Sequence, residues 1–171
     1  MEAGRVTILP AHTPDLSPRA AALFREYALS VMDVAGASLA HQNIDAELEG
    51  LPGKYGPPKG GMWLASTDGE DVGCVAVRPL VGLGGGMVAG ECELKRMYVR
   101  PAWRGLGLGR RLVEVAVEFG RGAGYRVMRL DTSDSMHAAM VVYGRAGFVP
   151  CERYNDDPMA DTLWFVKRLD G

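Results

Sequence analysis

The stretch Val99-Arg100-Pro101-Ala102-Trp103-Arg104-Gly105-Leu106-Gly107-Leu108-Gly109-Arg110-Arg111 joins two segments of different pattern. Glu91 to Val99 has the pattern of a strand, and Gly107 to Phe119 repeats apolar residues at helical spacing. The three glycines of this stretch allow positive φ angles and a close approach of backbone N–H groups to a ligand. Because the first N–H groups of a helix favour an anion, the stretch predicts a strand-to-helix turn that binds phosphate.

Two familiar phosphate-binding motifs do not fit this turn. The dinucleotide fingerprint G-x-G-x-x-G fails because Arg110 occupies the position of its third glycine, and the P-loop fails because Gly-Lys-Ser/Thr is missing. A purely structural turn, in which the glycines only redirect the chain and cap a helix, is the competing interpretation. Arg104, Arg110 and Arg111 in the same turn favour the anion site.

The positive charge of the chain is concentrated around the same turn. Residues 91–130 hold nine basic and four acidic side chains, a net charge of +5 in a chain whose total is −2. This distribution indicates a segment that binds a compact polyanion, with a solvated basic helix face as the alternative. The negative total argues against a general nucleic-acid binder.

Apolar periodicity and turn residues divide the chain into strands and helices. The predicted strands are Arg5 to Leu9, Met62 to Ser66, Val72 to Leu80, Glu91 to Val99, Arg126 to Leu130, Phe148 to Tyr154 and Leu163 to Lys167. One predicted helix begins at Ser17. The other three span His41 to Leu48, Gly107 to Phe119 and Ser135 to Arg145. Helices that alternate with strands indicate one α/β (α+β layered) domain over residues 1–171, built on a mixed sheet.

Composition is that of an ordinary globular chain. No run approaches the roughly 18 apolar residues of a membrane helix, and the first apolar run is too short for a secretory signal. Cys74, Cys92 and Cys151 are odd in number, lack metal-ligand spacing and lie in apolar strand-like runs, so we expect free thiols and no metal site. The resulting expectation is a cytoplasmic protein with no membrane or nucleic-acid partner.

The glycine-rich turn and its surroundings resemble a known family. Arg104-Gly105-Leu106-Gly107-Leu108-Gly109 is similar to the [Q/R]-x-x-G-x-G/A signature of the GCN5-related N-acetyltransferases, the GNAT family. Glu93 to Val99 resembles the fourth strand of that family, and Ala139 to Phe148 resembles its late LYxxxGF motif, with Tyr143 as the tyrosine. The order of elements also agrees, so the resemblance covers essentially the whole chain.

The resemblance implies a GNAT fold and acetyl-CoA as cosubstrate. The fold would be a mixed sheet of about seven strands with about four helices, splayed between the fourth and fifth strands. The function implied is transfer of an acetyl group from acetyl-CoA to an amine of a small-molecule or peptide acceptor by direct attack. Carried over to this sequence, the coenzyme A site would comprise Met97, Tyr98, Val99, Arg104, Gly105, Leu106, Gly107, Leu108, Gly109 and Arg110. Family members are often dimers, which makes a homodimer an expectation by analogy.

Acyl transfer to an amine needs an acid and a base, and the resemblance implies candidates for both. Tyr143 would donate a proton or hydrogen bond to the departing thiolate, unless it is only a core residue of its helix. Glu93 would be the base, with Glu91 on the same strand face or ordered water as alternatives. The helix of Tyr143 departs from the family at Met136, where asparagine is frequent, and the neighbouring His137 has no assigned role.

The acceptor site is implied only by region. In this family the segments corresponding to His41 to Gly61 and Tyr154 to Thr162 select the acceptor. Both segments contain acidic residues: Asp45, Glu47, Glu49, Asp156, Asp157 and Asp161. These charges suit a cationic amine, although surface solubility explains them equally well. Tyr55 is either a lid over the acceptor or part of a surface loop. Asp131-Thr132 would line the acceptor side or cap the next helix.

A non-catalytic acyl-CoA-binding or sensor domain is an alternative that retains the same cradle. The lack of an assured base favours that alternative, and Tyr143 argues against it.

Overall fold

A computed structural model of the chain describes residues 4–35 and 44–171. The strands are β1 (Thr7–Pro10), β2 (Gly61–Thr67), β3 (Glu70–Val81), β4 (Met87–Val99), β5 (Val127–Ser133), β6 (Val149–Cys151) and β7 (Thr162–Arg168). The helices are α1 (Ser17–Ala35), α2 (Ile44–Glu49), α3 (Leu108–Gly122) and α4 (His137–Arg145). Short 3₁₀ turns occupy Gly53–Tyr55, Leu83–Gly85 and Pro101–Trp103.

The described strands form one sheet in the order β1-β2-β3-β4-β5-β7-β6. β4 pairs with β5 in parallel, and the other neighbouring strands pair antiparallel. The predicted α/β fold, with a mixed sheet of seven strands and four helices, is therefore confirmed.

Both faces of the sheet are buried, and each is covered by its own helix. Along β2, Trp63 and Ala65 pack into the cluster that contains α3, whereas Met62 and Leu64 pack into the cluster that contains α1. Alternate residues of a strand point to opposite faces, so an almost fully apolar strand serves both clusters. The two faces are called the α1 face and the α3 face below.

Helix α3 presents the predicted apolar stripe to the sheet. Leu108, Leu112 and Ala116 are buried, while Val115 and Phe119 are partly buried against the same cluster. The Phe119 ring meets the Trp63 ring edge to face at a centroid distance of 5.2 Å. A stripe at helical spacing therefore packs as predicted.

The parallel ladder between β4 and β5 is short. Within the described chain it comprises Glu91↔Val127, Cys92↔Met128 and Glu93↔Arg129, although both strands continue beyond it. The two strands separate after Glu93, which is the splay that the resemblance implies. The β5-facing edge of β4 from residue 94 onward has no ladder partner among the described residues.

A bulge at Arg96 alters which side chains of β4 share a face. Arg96 has a φ of 58°, and the register against β3 shifts between the pairs Cys74↔Tyr98 and Ala76↔Lys95. A bulge inserts one extra residue and so breaks the two-residue alternation. Lys95, Arg96 and Tyr98 therefore all face the α1 side, where Arg96 lies over the Tyr27 ring of α1.

Several predicted boundaries are wrong by a few residues. β4 begins at Met87 instead of Glu91 because Met87 still pairs with Val81 of β3. α4 begins at His137, and β6 is shorter than the strand predicted there. The first residues of the predicted helix at His41 lie outside the described chain, where α2 starts at Ile44. None of the described helices is long and apolar enough to cross a membrane.

Candidate active site

The glycine-rich turn leads from β4 into α3 as predicted. Gly105 and Gly107 have φ angles of 78° and 79°, in the left-handed region that other residues avoid. Gly107 is the N-cap of α3 and supplies no side-chain hydrogen bond to the first turn. The first N–H groups of α3 therefore lack a capping side chain, as an anion site at a helix N-terminus requires.

The arginines of the turn differ in how they are held. The Arg104 Nε donates to the Val99 carbonyl at 2.8 Å, and its guanidinium lies 5.8 Å from the centre of the Tyr98 ring. Arg110 forms an exposed ion pair with Glu114 at 2.8 Å. Arg111 donates to the Val6 carbonyl at 3.0 Å. Arg104 is therefore anchored to the turn, whereas Arg110 is free to reorient at little cost.

The end of β4, the glycine turn and α4 meet at one place. A Cβ added to Gly109 would lie 3.6 Å from the Val142 side chain of α4 and 3.9 Å from the Met97 sulfur. Met97 and Val99 belong to the α3 face, and Tyr98 packs edge to face on Tyr27 at 6.3 Å on the opposite side. The open edge of β4 thus runs directly to the uncapped start of α3.

A basic groove of about 230 Å³ runs along α3, from Arg110 in the first turn of the helix to Arg121 near its end. Among its lining residues are the charged side chains Arg110, Arg121, Arg145, Lys167, Glu114 and Glu118. Arg110 and Arg121 pair with the two glutamates, and the remaining two cations form no ion pair within the described chain. The groove therefore has an excess of positive charge.

Tyr143 lies on α4 with its ring 6% exposed and in edge-to-face contact with Phe148 at 6.0 Å. Burial raises the pKa of Tyr143, and the neighbouring Tyr27 and the Asp131 carboxylate raise it further. No described residue hydrogen-bonds to its hydroxyl. Tyr143 is therefore both a core residue and a protonated donor on the side of Tyr27 and Asp131.

Glu93 is fully buried and held on both carboxylate oxygens. Arg78 donates to Oε1 through Nε at 2.8 Å and Nη2 at 2.7 Å. The Tyr154 hydroxyl donates to Oε2 at 2.5 Å, and the Asn155 amide donates to the same oxygen at 3.4 Å. The alternative carboxylate, Glu91, is paired with Arg129 at 3.0 Å. Neither glutamate lines the cavity beside the splay.

That cavity has a volume of about 360 Å³ and opens on the α1 face. It takes residues from α1, the end of β5 and both segments predicted to select the acceptor. Its polar and charged lining comprises Tyr27, Lys54, Arg78, Lys95, Arg96, Asp131, Thr132, Ser133, Asn155, Asp156, Asp157, Asp161 and Thr162. The predicted pair Asp131-Thr132 thus lines the cavity. Asp131 does not cap α4, whose N-cap is Met136 without a side-chain hydrogen bond.

Asp131 sits where the two strands separate. Its Oδ1 lies 3.6 Å from the Lys95 Nζ, and its Oδ2 accepts from Asn155 at 2.7 Å. Lys95 and Asp131 each come two residues after the last ladder pair, so they face each other across the gap. Burial opposes the charge of Asp131, but Lys95 and Asn155 outweigh it and keep the pKa of this carboxyl low.

Two predictions for the segment before β2 are wrong. Tyr55 is neither a lid nor part of an exposed loop, because it is fully buried with Phe24 at a ring distance of 6.0 Å. Its hydroxyl donates to Glu47 at 2.8 Å. Glu47 is not a solvated acid: it pairs with Arg96 at 2.9 Å and Lys54 at 3.2 Å, and these contacts lower its pKa to about 2 despite the burial of the carboxyl.

Sequence reasoning found the acidic part of the cavity lining but missed Arg78, Lys95 and Arg96 and the uncharged Asn155. One signal was available, since Lys95-Arg96 places two adjacent charges inside a strand, where regular alternation would direct one of them to each face of the sheet. Met136 lines the cavity, and His137 is exposed. The three cysteines are free, as predicted.

Comparison with known proteins agrees with this geometry. The sequence model of the Acetyltransferase (GNAT) family matches residues 31–148, which include the open edge of β4, the glycine turn and Tyr143. The chain belongs to the GNAT acetyltransferase family.

Relatives of this GNAT protein include uncharacterized N-acetyltransferases of Schizosaccharomyces pombe and Escherichia coli. The first is 41% identical over 75% of this chain and 76% of its own length, and the second is 34% identical over 61% and 60%. An acetyltransferase of the GNAT family from Staphylococcus aureus has the same fold, with a TM-score of 0.75, 20% identity and coverage of 97% of this chain and 100% of its own. The yncA protein of Salmonella typhimurium, solved with its cofactor acetyl-CoA, has a TM-score of 0.68 at 20% identity and coverage of 96% and 94%.

Proposed function

We propose that this GNAT protein transfers an acetyl group from acetyl-CoA to the amine of a small acceptor. One observation carries the proposal: the unpaired edge of β4 runs into an uncapped glycine turn on one side and borders a charged cavity on the other. A thiol-linked acyl donor and an amine can thus meet at the splay from opposite faces of the sheet.

The residues present fit acetyl-CoA. The free backbone edge at Met97 and Val99 would pair with the amide groups of the pantetheine arm. The first N–H groups of α3 and the side chain of Arg110 would hold the pyrophosphate, and the basic groove beside them suits the remaining phosphate. The bound thioester supplies the acetyl group and a thiolate leaving group.

Tyr143 is the proposed acid. Its raised pKa keeps the phenol protonated at neutral pH, and its hydroxyl has no competing partner in the described chain. A protonated donor stabilises the negative charge that develops on the leaving sulfur and can transfer its proton there; the proton that the attacking nitrogen loses as the amide forms would restore the phenol through solvent.

For Glu93 the geometry supports a positioning role better than the role of base. Both of its oxygens already accept hydrogen bonds from charged or neutral donors, and none of its atoms lines the cavity. Glu93 fixes Arg78, which lines the acceptor cavity, and Tyr154, whose neighbour Asn155 also lines it. The ammonium proton of the acceptor would then leave to solvent before attack.

The decisive experiment measures thiol release from acetyl-CoA in the presence of a panel of amines, alongside thermal stabilisation by coenzyme A, NAD and ATP. We expect stabilisation by coenzyme A alone and turnover with a subset of amines. Binding without turnover on any amine would indicate a sensor domain. Stabilisation by NAD or ATP instead of coenzyme A would indicate a different nucleotide-binding domain.

The Arg110→Glu variant tests the pyrophosphate site. Because Arg110 is exposed and its pair with Glu114 is weak, stability should change little, whereas the dissociation constant of coenzyme A should rise about tenfold or more. Arg25→Glu on α1, also in an exposed ion pair, is the matched control and should bind coenzyme A normally. Equal affinity in the two variants would refute this site.

A further inference from the structure

The acceptor cavity has two groups of charged residues that come from different parts of the fold. One group is basic and comes from the 3₁₀ turn before β2, from β3 and from β4: Lys54, Arg78, Lys95 and Arg96. The other is acidic and comes from β5 and the segment between β6 and β7: Asp131, Asp156, Asp157 and Asp161. A cavity for a simple amine needs only the acidic group.

The cations nearest to Glu47 are crowded. The Glu47 carboxylate is shared between Lys54 at 3.2 Å and Arg96 at 2.9 Å, and its Oε1 also accepts from Tyr55. Burial lowers the pKa of Lys54, and the like charges of Arg78 and Arg96 lower it further although Glu47 opposes this. Among the described residues, Lys54 thus has one carboxylate partner, which it shares with Arg96, and an anion beside Lys54 would relieve its repulsion from Arg78.

Arg78 contributes to the same positive corner. Its carboxylate partner, Glu93, is fully buried and does not reach the cavity, whereas the Arg78 side chain is 18% exposed and lines it. Lys54 is 43% exposed at its side chain and lines the cavity as well. Both cations can therefore contact a ligand without first breaking their own ion pairs.

The aspartates of the opposite wall are held by neutral donors. Asp156 accepts from the Gly84 amide at 3.0 Å, Asp157 from the Met159 amide at 2.8 Å, and Asp161 from the Ser133 hydroxyl at 2.8 Å. Within the described chain, none of these three carboxylates forms an ion pair. Their negative charge is available to a cation, and it lies on the same side as Asp131 at the splay.

The cavity on the α1 face has room for a small acceptor. About 360 Å³ corresponds to roughly a dozen water-sized volumes of about 30 Å³ each. That space suits a small molecule with two charged groups better than a folded protein segment.

We infer that the acceptor is a small aminocarboxylate, a molecule with both an amine and a carboxylate such as a free amino acid. Its carboxylate would lie against Lys54 and Arg78, and its ammonium would approach the splay along the aspartate wall. This inference rests on the proposed acetyl transfer and specifies its substrate class. A site built to bind a charged group discriminates strongly against an analogue that lacks that group.

The test compares free amino acids with their carboxamides and with the decarboxylated amines, using acetyl-CoA and the full chain. The amine of a carboxamide is less basic and more of it is neutral, so chemistry alone favours the carboxamide. We expect kcat/KM for the best amino acid to exceed that of its carboxamide by about tenfold or more. A preference for the amino acid therefore reports recognition of the carboxylate.

The Lys54→Gln variant locates that recognition. The ratio of kcat/KM for amino acid over carboxamide should fall at least about fivefold in Lys54→Gln and stay unchanged in Lys59→Gln. Lys59 is an exposed lysine of the same segment that does not line the cavity. Thermal unfolding checks that both variants fold. If Lys54→Gln does not fold, the comparison of amino acid with carboxamide in the wild-type protein still tests the inference.

Two results would overturn the inference in different ways. If carboxamides, polyamines or a peptide N-terminus were acetylated as efficiently as the amino acids, the assignment of an aminocarboxylate acceptor would be refuted. The proposed acetyl transfer would stand. No acetylation of any amine, with coenzyme A still bound, would refute the proposed transfer itself.

Discussion

Tyr143 and Glu93 show how a residue's role depends on its surroundings. Helical spacing and the LYxxxGF resemblance predict both a core position and an acid role for Tyr143. Its burial, with a hydroxyl that has no hydrogen-bond partner among the described residues, is compatible with both. The resemblance implies a catalytic base at Glu93, but four donor contacts occupy that carboxylate. The spacing of residues along a strand indicates the face of a side chain and not the partners that it meets there.

The Tyr143→Phe variant tests the acid role. It removes only the hydroxyl, so we expect kcat to fall about a hundredfold while coenzyme A affinity and thermal stability change little. Tyr125→Phe is the matched control, since the Tyr125 hydroxyl donates to the Lys59 carbonyl at 2.7 Å away from the splay. Steady-state kinetics with a confirmed acceptor measure both, and an unchanged kcat in Tyr143→Phe would contradict the assignment.

At the scale of elements, the site depends on three irregularities: the bulge in β4, the splay from β5 and the glycine turn before α3. The bulge at Arg96 brings Lys95 and Arg96 to the same face, and the splay exposes the β4 backbone. The glycine turn is readable from sequence because positive φ angles favour glycine. The bulge is not, because it occurs at an arginine, which has no local preference for a φ of 58°.

Gly107→Ala tests the turn as an element. Alanine at a φ of 79° costs about 1–2 kcal/mol of stability through backbone strain, since no atom lies within 4 Å of the added Cβ. The strain should also shift the first turn of α3 and weaken coenzyme A binding. Thermal unfolding and a coenzyme A titration measure the two effects.

Gly122→Ala is the control at the other end of α3. Gly122 lies in the helix without a positive φ and with open space around it, so alanine should stabilise the protein by about 0.5–1 kcal/mol. If Gly107→Ala and Gly122→Ala changed the stability in the same direction, the positive φ of Gly107 would not explain the effect of Gly107→Ala.

At the scale of the whole molecule, buried polar contacts connect elements that are distant in sequence. Glu93 of β4 contacts Arg78 of β3 and Tyr154 in the segment after β6. Asn155 of that segment contacts Asp131 of β5. The side-chain oxygen Oδ1 of Asn155 also accepts a hydrogen bond of 2.9 Å from the indole of Trp164 on β7. This network spans the separation of β4 and β5 and holds the two halves of the sheet at the site.

Glu93→Gln should therefore lower stability as well as activity. It leaves the Arg78 guanidinium largely buried without its carboxylate, which costs about 3 kcal/mol. Glu118→Gln, which removes an exposed pair with Arg121, should cost less than about 0.5 kcal/mol. Chemical denaturation measures both.

The pH profile of kcat in Glu93→Gln separates the two roles of this residue. A positioning residue leaves the shape of the profile unchanged, whereas loss of a base removes its acidic limb. A variant that is as stable as the wild type, with a much lower kcat and without the acidic limb of the profile, would support the base and not the positioning role.

The sequence by itself determined the order of the elements, the stripe of α3 and the glycine turn. These features depend on neighbouring residues, whose φ angles and spacing are local properties. Only the tertiary structure decided which charges meet, as in Glu47 with Arg96, Glu93 with Tyr154 and Asp131 with Asn155. The partners in these pairs are 24 to 61 residues apart, and the register, bulge and splay of the sheet bring them together. The charges of the cavity are therefore a property of the fold, whereas the glycine turn that we propose to bind phosphate is already visible in thirteen consecutive residues.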